Sequence, residues 1–169
     1  MAILVTGGAG YIGSHTTLQL LEAGYEVVIL DNFHNSHEEA IERVKHLSGK
    51  GVSLVRGDIN CRATLVSLFE HHKIDAVIHF AGLKAVGESV SMPLEYYRNN
   101  IDSTLVLCEV MAAHNVYRLV FSSSATVYGM PETVPITEDF PLSCTNPYGW
   151  TKLMNEQILR DLSVADPLW

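Results

Sequence analysis

Tyr148 and Lys152 stand four residues apart, and three serines, Ser122, Ser123 and Ser124, lie upstream of them. Residues four apart on a helix share a face. An ammonium close to a phenol favours the phenolate, which suits Tyr148 to take a proton from an alcohol. Ser124 would hydrogen-bond the same alcohol oxygen. Those are the parts needed to deprotonate an alcohol while its carbon gives up a hydride. Taken alone, the Tyr–Lys pair also fits chance spacing, and the serines also fit an ordinary strand–loop junction.

The hydride needs an acceptor, and the amino terminus supplies a candidate site for one. The segment Thr6-Gly7-Gly8-Ala9-Gly10-Tyr11-Ile12-Gly13 follows an apolar run, Ala2–Val5, and opens an amphipathic run, Tyr11–Ala23. Gly7 lets the chain turn sharply out of a strand, Gly10 lets a diphosphate approach bare backbone, and Gly13 lets the helix pack closely on the sheet. The unmet N–H groups of the helix start would face a pyrophosphate. Asp31 ends the second apolar run, about twenty positions beyond the glycines, where an acid accepts hydrogen bonds from the adenosine ribose. It would repel a 2′-phosphate, so NAD is expected rather than NADP. Asp31-Asn32 also reads as a turn at a strand end. Asp58 and Ile59 follow the third strand and could meet the adenine amino group and ring, although a carboxylate there also suits a helix start. Phe80, Ala81 and Gly82 follow the fourth strand, and the two small residues would let a cofactor lie across the strand ends. Lys152 could also donate to the nicotinamide ribose.

The elements that must position these residues alternate between strand and helix. Expected strands are 3–6, 26–30, 53–56, 76–79 and 119–122. Expected helices are 11–23, 38–47, 62–71, about 94–114, and 148–162. Gly24 should stop the first helix, and Asn146-Pro147 should start the last, with Asn as N-cap and Pro at N1. Short apolar strands joined by crossover helices imply an α/β fold: a Rossmann-type, doubly wound parallel sheet in three layers. The chain is read as a single NAD-binding domain, residues 1–169, and Asp166-Pro167 should break its last helix.

Bulk properties narrow the class. The chain has 169 residues, 47% hydrophobic and 18% charged, as a folded globular protein has. Its formal net charge of −8 argues against a nucleic-acid partner. Cys61, Cys108 and Cys144 lack paired or metal-type spacing and read as free thiols in a reducing compartment. His71 and His72 are adjacent and point apart, so no metal site is expected. No basic leader or long apolar stretch appears, which favours the cytoplasm and no membrane span.

These residues together resemble the extended short-chain dehydrogenase/reductase family. Within it, Ala81-Gly82-Leu83-Lys84-Ala85-Val86-Gly87-Glu88-Ser89 and Ser122-Ser123-Ser124-Ala125-Thr126-Val127-Tyr128-Gly129 are similar to the UDP-glucose 4-epimerases. The resemblance implies reversible, NAD-dependent oxidation at C4 of a UDP-sugar, interconverting UDP-galactose and UDP-glucose. It implies that Tyr148, Lys152 and Ser124 are catalytic and that Ser124 and Tyr148 meet the substrate. It implies an NAD site lined by Tyr11, Ile12, Asp31, Asn32, Asn35, Ser36, Asp58, Ile59, Phe80, Ala81, Gly82, Lys84, Asn99, Ser122, Ser123, Tyr148 and Lys152 as well as the glycines. It also implies a homodimer through the long helix and the Tyr148 helix, with Val106, Val110 and Met111 as candidates; these also read as core. Nucleotide-sugar 4,6-dehydratases usually carry Asp-Glu just after the catalytic hydroxyl. Here Ala125 and Thr126 stand there, which disfavours water loss.

These epimerases are about twice as long, and their carboxyl-terminal portion supplies most UDP contacts. The isolated chain is therefore expected to hold NAD weakly and to turn over poorly or not at all. A non-catalytic NAD-binding or dimerising remnant is the alternative. A simple alcohol dehydrogenase, which would release NADH, is a third.

Overall fold

In the computed structural model all 169 residues are described, and the chain divides into two compact units. The first comprises residues 1–81 and 105–121, the second residues 82–104 and 122–169.

The first unit holds a parallel sheet of β1 (Ala2–Thr6), β2 (Glu26–Asp31), β3 (Ser53–Arg56), β4 (Ile74–His79) and β5 (Leu119–Phe121), in the order β3-β2-β1-β4-β5. Its first helices are α1 (Tyr11–Glu22), α2 (Glu39–Ser48) and α3 (Arg62–His71). Side chains alternate across a strand. Ile3, Val5, Val27 and Ile29 point to one face and form a core with Leu21 of α1 and Ile41 and Val44 of α2. Leu4, Val28 and Leu30 alternate to the opposite face and are also buried. Strands buried on both faces become continuous apolar runs, which is why β1 and β2 carry so few polar residues. The strand order reverses beside β1, where open α/β sheets bind ligands at their carboxyl ends.

The second unit begins with α4 (Val86–Ser91) and the long α5 (Pro93–Ala113), whose last residues, from Leu105, belong to the first unit. A 3-10 turn, Ala125–Tyr128, and α6 (Pro147–Ala165) complete it. Asn146 caps α6, its Oδ1 accepting from the Gly149 N–H at 2.8 Å, with Pro147 at the first helical position. Gly24 has φ +88° just past the end of α1, as a C′ glycine should.

The expected strands and long helices are present, β3 and α3 with the expected bounds and the others with shifts of up to three residues at their ends. Two elements were not expected, α4 and the 3-10 turn, because each is too short to carry a period. Val110 and Met111 are 1% and 0% exposed, so they are core and unavailable to a second subunit, while Val106 is half-buried. No helix is long and apolar enough to cross a membrane.

Candidate active site

The glycine turn belongs to the first unit. Gly7 has φ +68°, and a Cβ there would lie 2.7 Å from the Ala81 nitrogen, so only glycine fits. A Cβ on Gly13 would lie 2.3 Å from the Gly7 carbonyl oxygen. Gly13 therefore lets the start of α1 lie close against the turn. Gly10 closes the turn by donating its N–H to the Gly7 carbonyl at 3.1 Å. No side chain caps α1, no acidic residue stands in its first turn, and Tyr11 and Ile12 are exposed there. An uncapped helix start next to bare backbone suits an anion.

Asp31, 8% exposed, organises the neighbouring loop. One carboxylate oxygen accepts from the Ala9 N–H at 2.9 Å, which ties it to the glycine turn. The other accepts from the Phe33 N–H at 2.9 Å and from the Ser36 hydroxyl at 2.8 Å. Each oxygen can accept two bonds, so the first keeps an acceptor position for a hydroxyl. Asn32 donates to Asp58 at 3.1 Å, and Asp58 also accepts from the Asn60 N–H at 2.8 Å. Ile59 is buried, while Asn32, Asn35 and Asp58 are exposed. Phe80 and Ala81 extend from β4: the Phe80 N–H donates to the Thr6 carbonyl at 3.1 Å and the Ala81 N–H to the Thr6 hydroxyl at 3.3 Å. Beneath them, that hydroxyl and Nδ1 of buried His79 are 2.7 Å apart, a strand-end role.

The Tyr–Lys–Ser set lies in the second unit. Lys152 is 6% exposed, and its ammonium donates to the Ser122 carbonyl at 2.8 Å and sits 6.0 Å from the centre of the Tyr148 ring. Burial pulls its pKa down to about 8, which leaves it charged at neutral pH. Helical spacing thus does bring Lys152 to the Tyr148 ring. Ser124 caps the 3-10 turn, its hydroxyl oxygen accepting from the Thr126 N–H at 3.2 Å and the Thr126 hydroxyl at 2.9 Å. Both lone pairs are then engaged, and the Ser124 proton is the group left to donate. A Cβ on Gly149 would stand 3.0 Å from the Thr126 carbonyl, so α6 starts in close contact with this turn. Ser123 directs its hydroxyl to Glu156 of α6, and Ser122 uses its carbonyl on Lys152.

Sequence reading missed the residues that hold this set. Asn100, 3% exposed, uses its whole side-chain amide. Its oxygen accepts from the Leu83 N–H at 2.8 Å and from Asn99 at 2.9 Å. Its nitrogen donates to the Leu83 carbonyl at 2.9 Å and to Thr151 at 3.1 Å. Thr151 in turn donates to the Tyr148 carbonyl at 2.7 Å, and Asn155 donates to the Asn100 carbonyl at 2.9 Å. One turn earlier on α5, buried Tyr96 donates to Glu88 at 2.5 Å and accepts from the Ala85 N–H at 3.0 Å. Burial, first, and the Glu88 bond push its phenol up to about 12, so it stays protonated. The loop carrying Gly82 and exposed Lys84 is thus held by two α5 side chains. The available signal was Asn in a helix interior, where it is unfavourable unless something binds it.

A family model described as GDP-mannose 4,6 dehydratase matches residues 4–169. The UDP-glucose 4-epimerase of Bacillus subtilis is 63% identical over 169 residues, covering 100% of this chain and 50% of the relative. That of Dictyostelium discoideum is 61% identical over 167 residues, covering 99% and 48%. The crystal structure of UDP-glucose 4-epimerase from Bifidobacterium longum in complex with NAD+ and UDP superposes with a TM-score of 0.97 at 56% identity, covering 100% of this chain and 51% of that one. The chain spans about half the length of the relatives it matches. The doubly wound sheet, the glycine turn and these matches lead to one conclusion: the chain belongs to the family described as GDP-mannose 4,6 dehydratase, and it is similar to the UDP-glucose 4-epimerases named above.

Proposed function

We propose that this chain carries the NAD-binding and proton-transfer machinery of a UDP-sugar 4-epimerase acting on UDP-galactose and UDP-glucose. The observation that carries the reading is the Lys152 ammonium beside the Tyr148 ring, with Ser124 left as a donor. The residues present fit the dinucleotide, because a Cβ at Gly7 or Gly13 would fill the turn and no side chain caps α1. Asp31, with Asn32, Asn35 and Ser36, would hold the adenosine end, and Asp58 and Ile59 the adenine. Phe80, Ala81, Gly82, Lys84, Asn99 and Lys152 would hold the rest. When bound, the nicotinamide supplies a hydride acceptor for sugar C4 and later a hydride donor to its other face.

Tyr148 takes the proton from the sugar's 4-hydroxyl and returns it at the end of the cycle. Ser124 donates to that same oxygen and fixes its position. Lys152, charged and buried, favours the negative charge that develops on the phenol oxygen. The residues after Ser124 are Ala125 and Thr126, neither of which can supply the acid or base of a dehydration. This favours epimerisation over the reaction in the family's description. The exposed apolar pair Trp150 and Met154 on α6 supports a homodimer contact, and three free cysteines suit a reducing cytoplasm.

Calorimetric titration of the chain with NAD, followed by UDP-galactose, tests this. We expect NAD to bind, and Tyr148→Phe to leave that binding within about twofold while abolishing any conversion to UDP-glucose. Failure of the chain to bind NAD at millimolar concentration sinks the reading. NAD binding with no response to the UDP-sugar favours the alternative, a non-catalytic NAD-binding or dimerising remnant.

A further inference from the structure

The candidate adenosine end carries a cation that the proposed function does not use. Arg56 is the register partner of Asp31, at the carboxyl ends of neighbouring strands. Its guanidinium carbon lies 4.9 Å from the centre of the Phe33 ring. Phe33, at φ +58°, is the residue whose N–H donates to the Asp31 carboxylate. Arg56 is thus one residue removed from the acid expected to bind the ribose. It is paired with Glu38, the residue immediately before α2, and both side chains are accessible, at 60% and 48% exposure.

A guanidinium presents a planar fork of N–H donors that matches a phosphate, and it stacks on aromatic faces without losing those donors. In dinucleotide folds an acid at the end of β2 selects the free ribose, while an arginine nearby accommodates a 2′-phosphate. Both groups are present here, and Glu38 neutralises the arginine.

We propose that Arg56 is a latent subsite for the 2′-phosphate of an NADP-type dinucleotide, and that Glu38 keeps it closed, so that the Glu38–Arg56 pair reinforces Asp31 in selecting NAD. The inference rests on the dinucleotide reading above. The pair is solvent-exposed and therefore weak, and one neutral substitution is enough to release Arg56.

Titrating NAD and NADP into the wild-type chain, Glu38→Gln, and Glu38→Gln/Arg56→Gln decides it. Both substituted side chains are exposed, and circular dichroism checks that each variant folds. Glu38→Gln should raise NADP affinity relative to NAD by about threefold to fivefold at low salt. The gain should shrink as ionic strength rises and vanish in the double variant. An unchanged NADP-to-NAD ratio in Glu38→Gln, with NAD still bound, overturns the inference and leaves the NAD reading standing. A gain that persists in the double variant overturns it as well. A wild-type chain that binds neither dinucleotide removes the reading on which the inference stands, and the inference with it.

Discussion

The two units are held together in different ways. In the first, most of the fully buried side chains are apolar, Leu4, Val5, Leu21, Ile29, Leu30 and Ile41 among them, beside Thr6, Thr17 and His79, and stability comes mainly from apolar area removed from water. In the second, the buried set includes Asn100, Thr151, Lys152, Asn155, Ser89, Ser103 and Thr104. Apolar packing is non-directional and tolerates small shifts. A buried polar network does not, because each group left without its partner costs the full desolvation penalty. The unit that fixes Tyr148 and Lys152 is therefore built for exact position, and the unit with the glycine turn for general robustness. The network is not quite closed: the buried Oδ1 of Asn155 has no hydrogen-bond partner, although its nitrogen is bonded.

The sharpest way to break the contrast is to damage each unit in its own currency. Ile29→Ala, at a position 0% exposed, should cost about 2–5 kcal/mol in denaturant unfolding. That loss should appear in the amide exchange of β1 and β2 together. Asn100→Ala should cost about 3 kcal/mol, since it orphans both backbone groups of Leu83 and takes one donor from the Thr151 hydroxyl, which keeps its bond to the Tyr148 carbonyl. Its signature should be local: the Leu83 amide loses exchange protection while β1 and β2 keep theirs. Equal loss of protection in both units would show that they unfold as one, and the contrast would carry no energetic meaning.

Lys152 sharpens the contrast through pH. It releases its proton near pH 8 in the folded chain, against an ordinary value of 10.5. Between those values the unfolded chain binds more protons, so this residue's contribution to stability rises with pH. Below pH 8 the full cost of burying the ammonium is present. Wild type should gain on Lys152→Met by about 2 kcal/mol between pH 8 and pH 10.5, measured by urea unfolding. A flat difference across that range would mean that the ammonium is solvated in the folded chain.

Much was legible in the sequence because it depends on neighbours along the chain. The strands of the sheet follow from short apolar runs between turn residues. The caps of α6 follow from Asn146-Pro147, and the end of α1 from Gly24, because backbone sterics and terminal N–H groups act over a few residues. The Tyr148–Lys152 pairing follows from helical period alone. Other features needed the folded chain. That Ser123 turns to Glu156, that Gly13 packs on the turn, and that Asn100 spans Leu83 and Thr151 depend on contacts between segments far apart in sequence. The same holds for the Arg56–Glu38 pair, whose partners meet because β2 and β3 align Asp31 with Arg56. Period and capping are properties of one segment, whereas a satisfied buried polar group is a property of two or more, and only packing selects its partner.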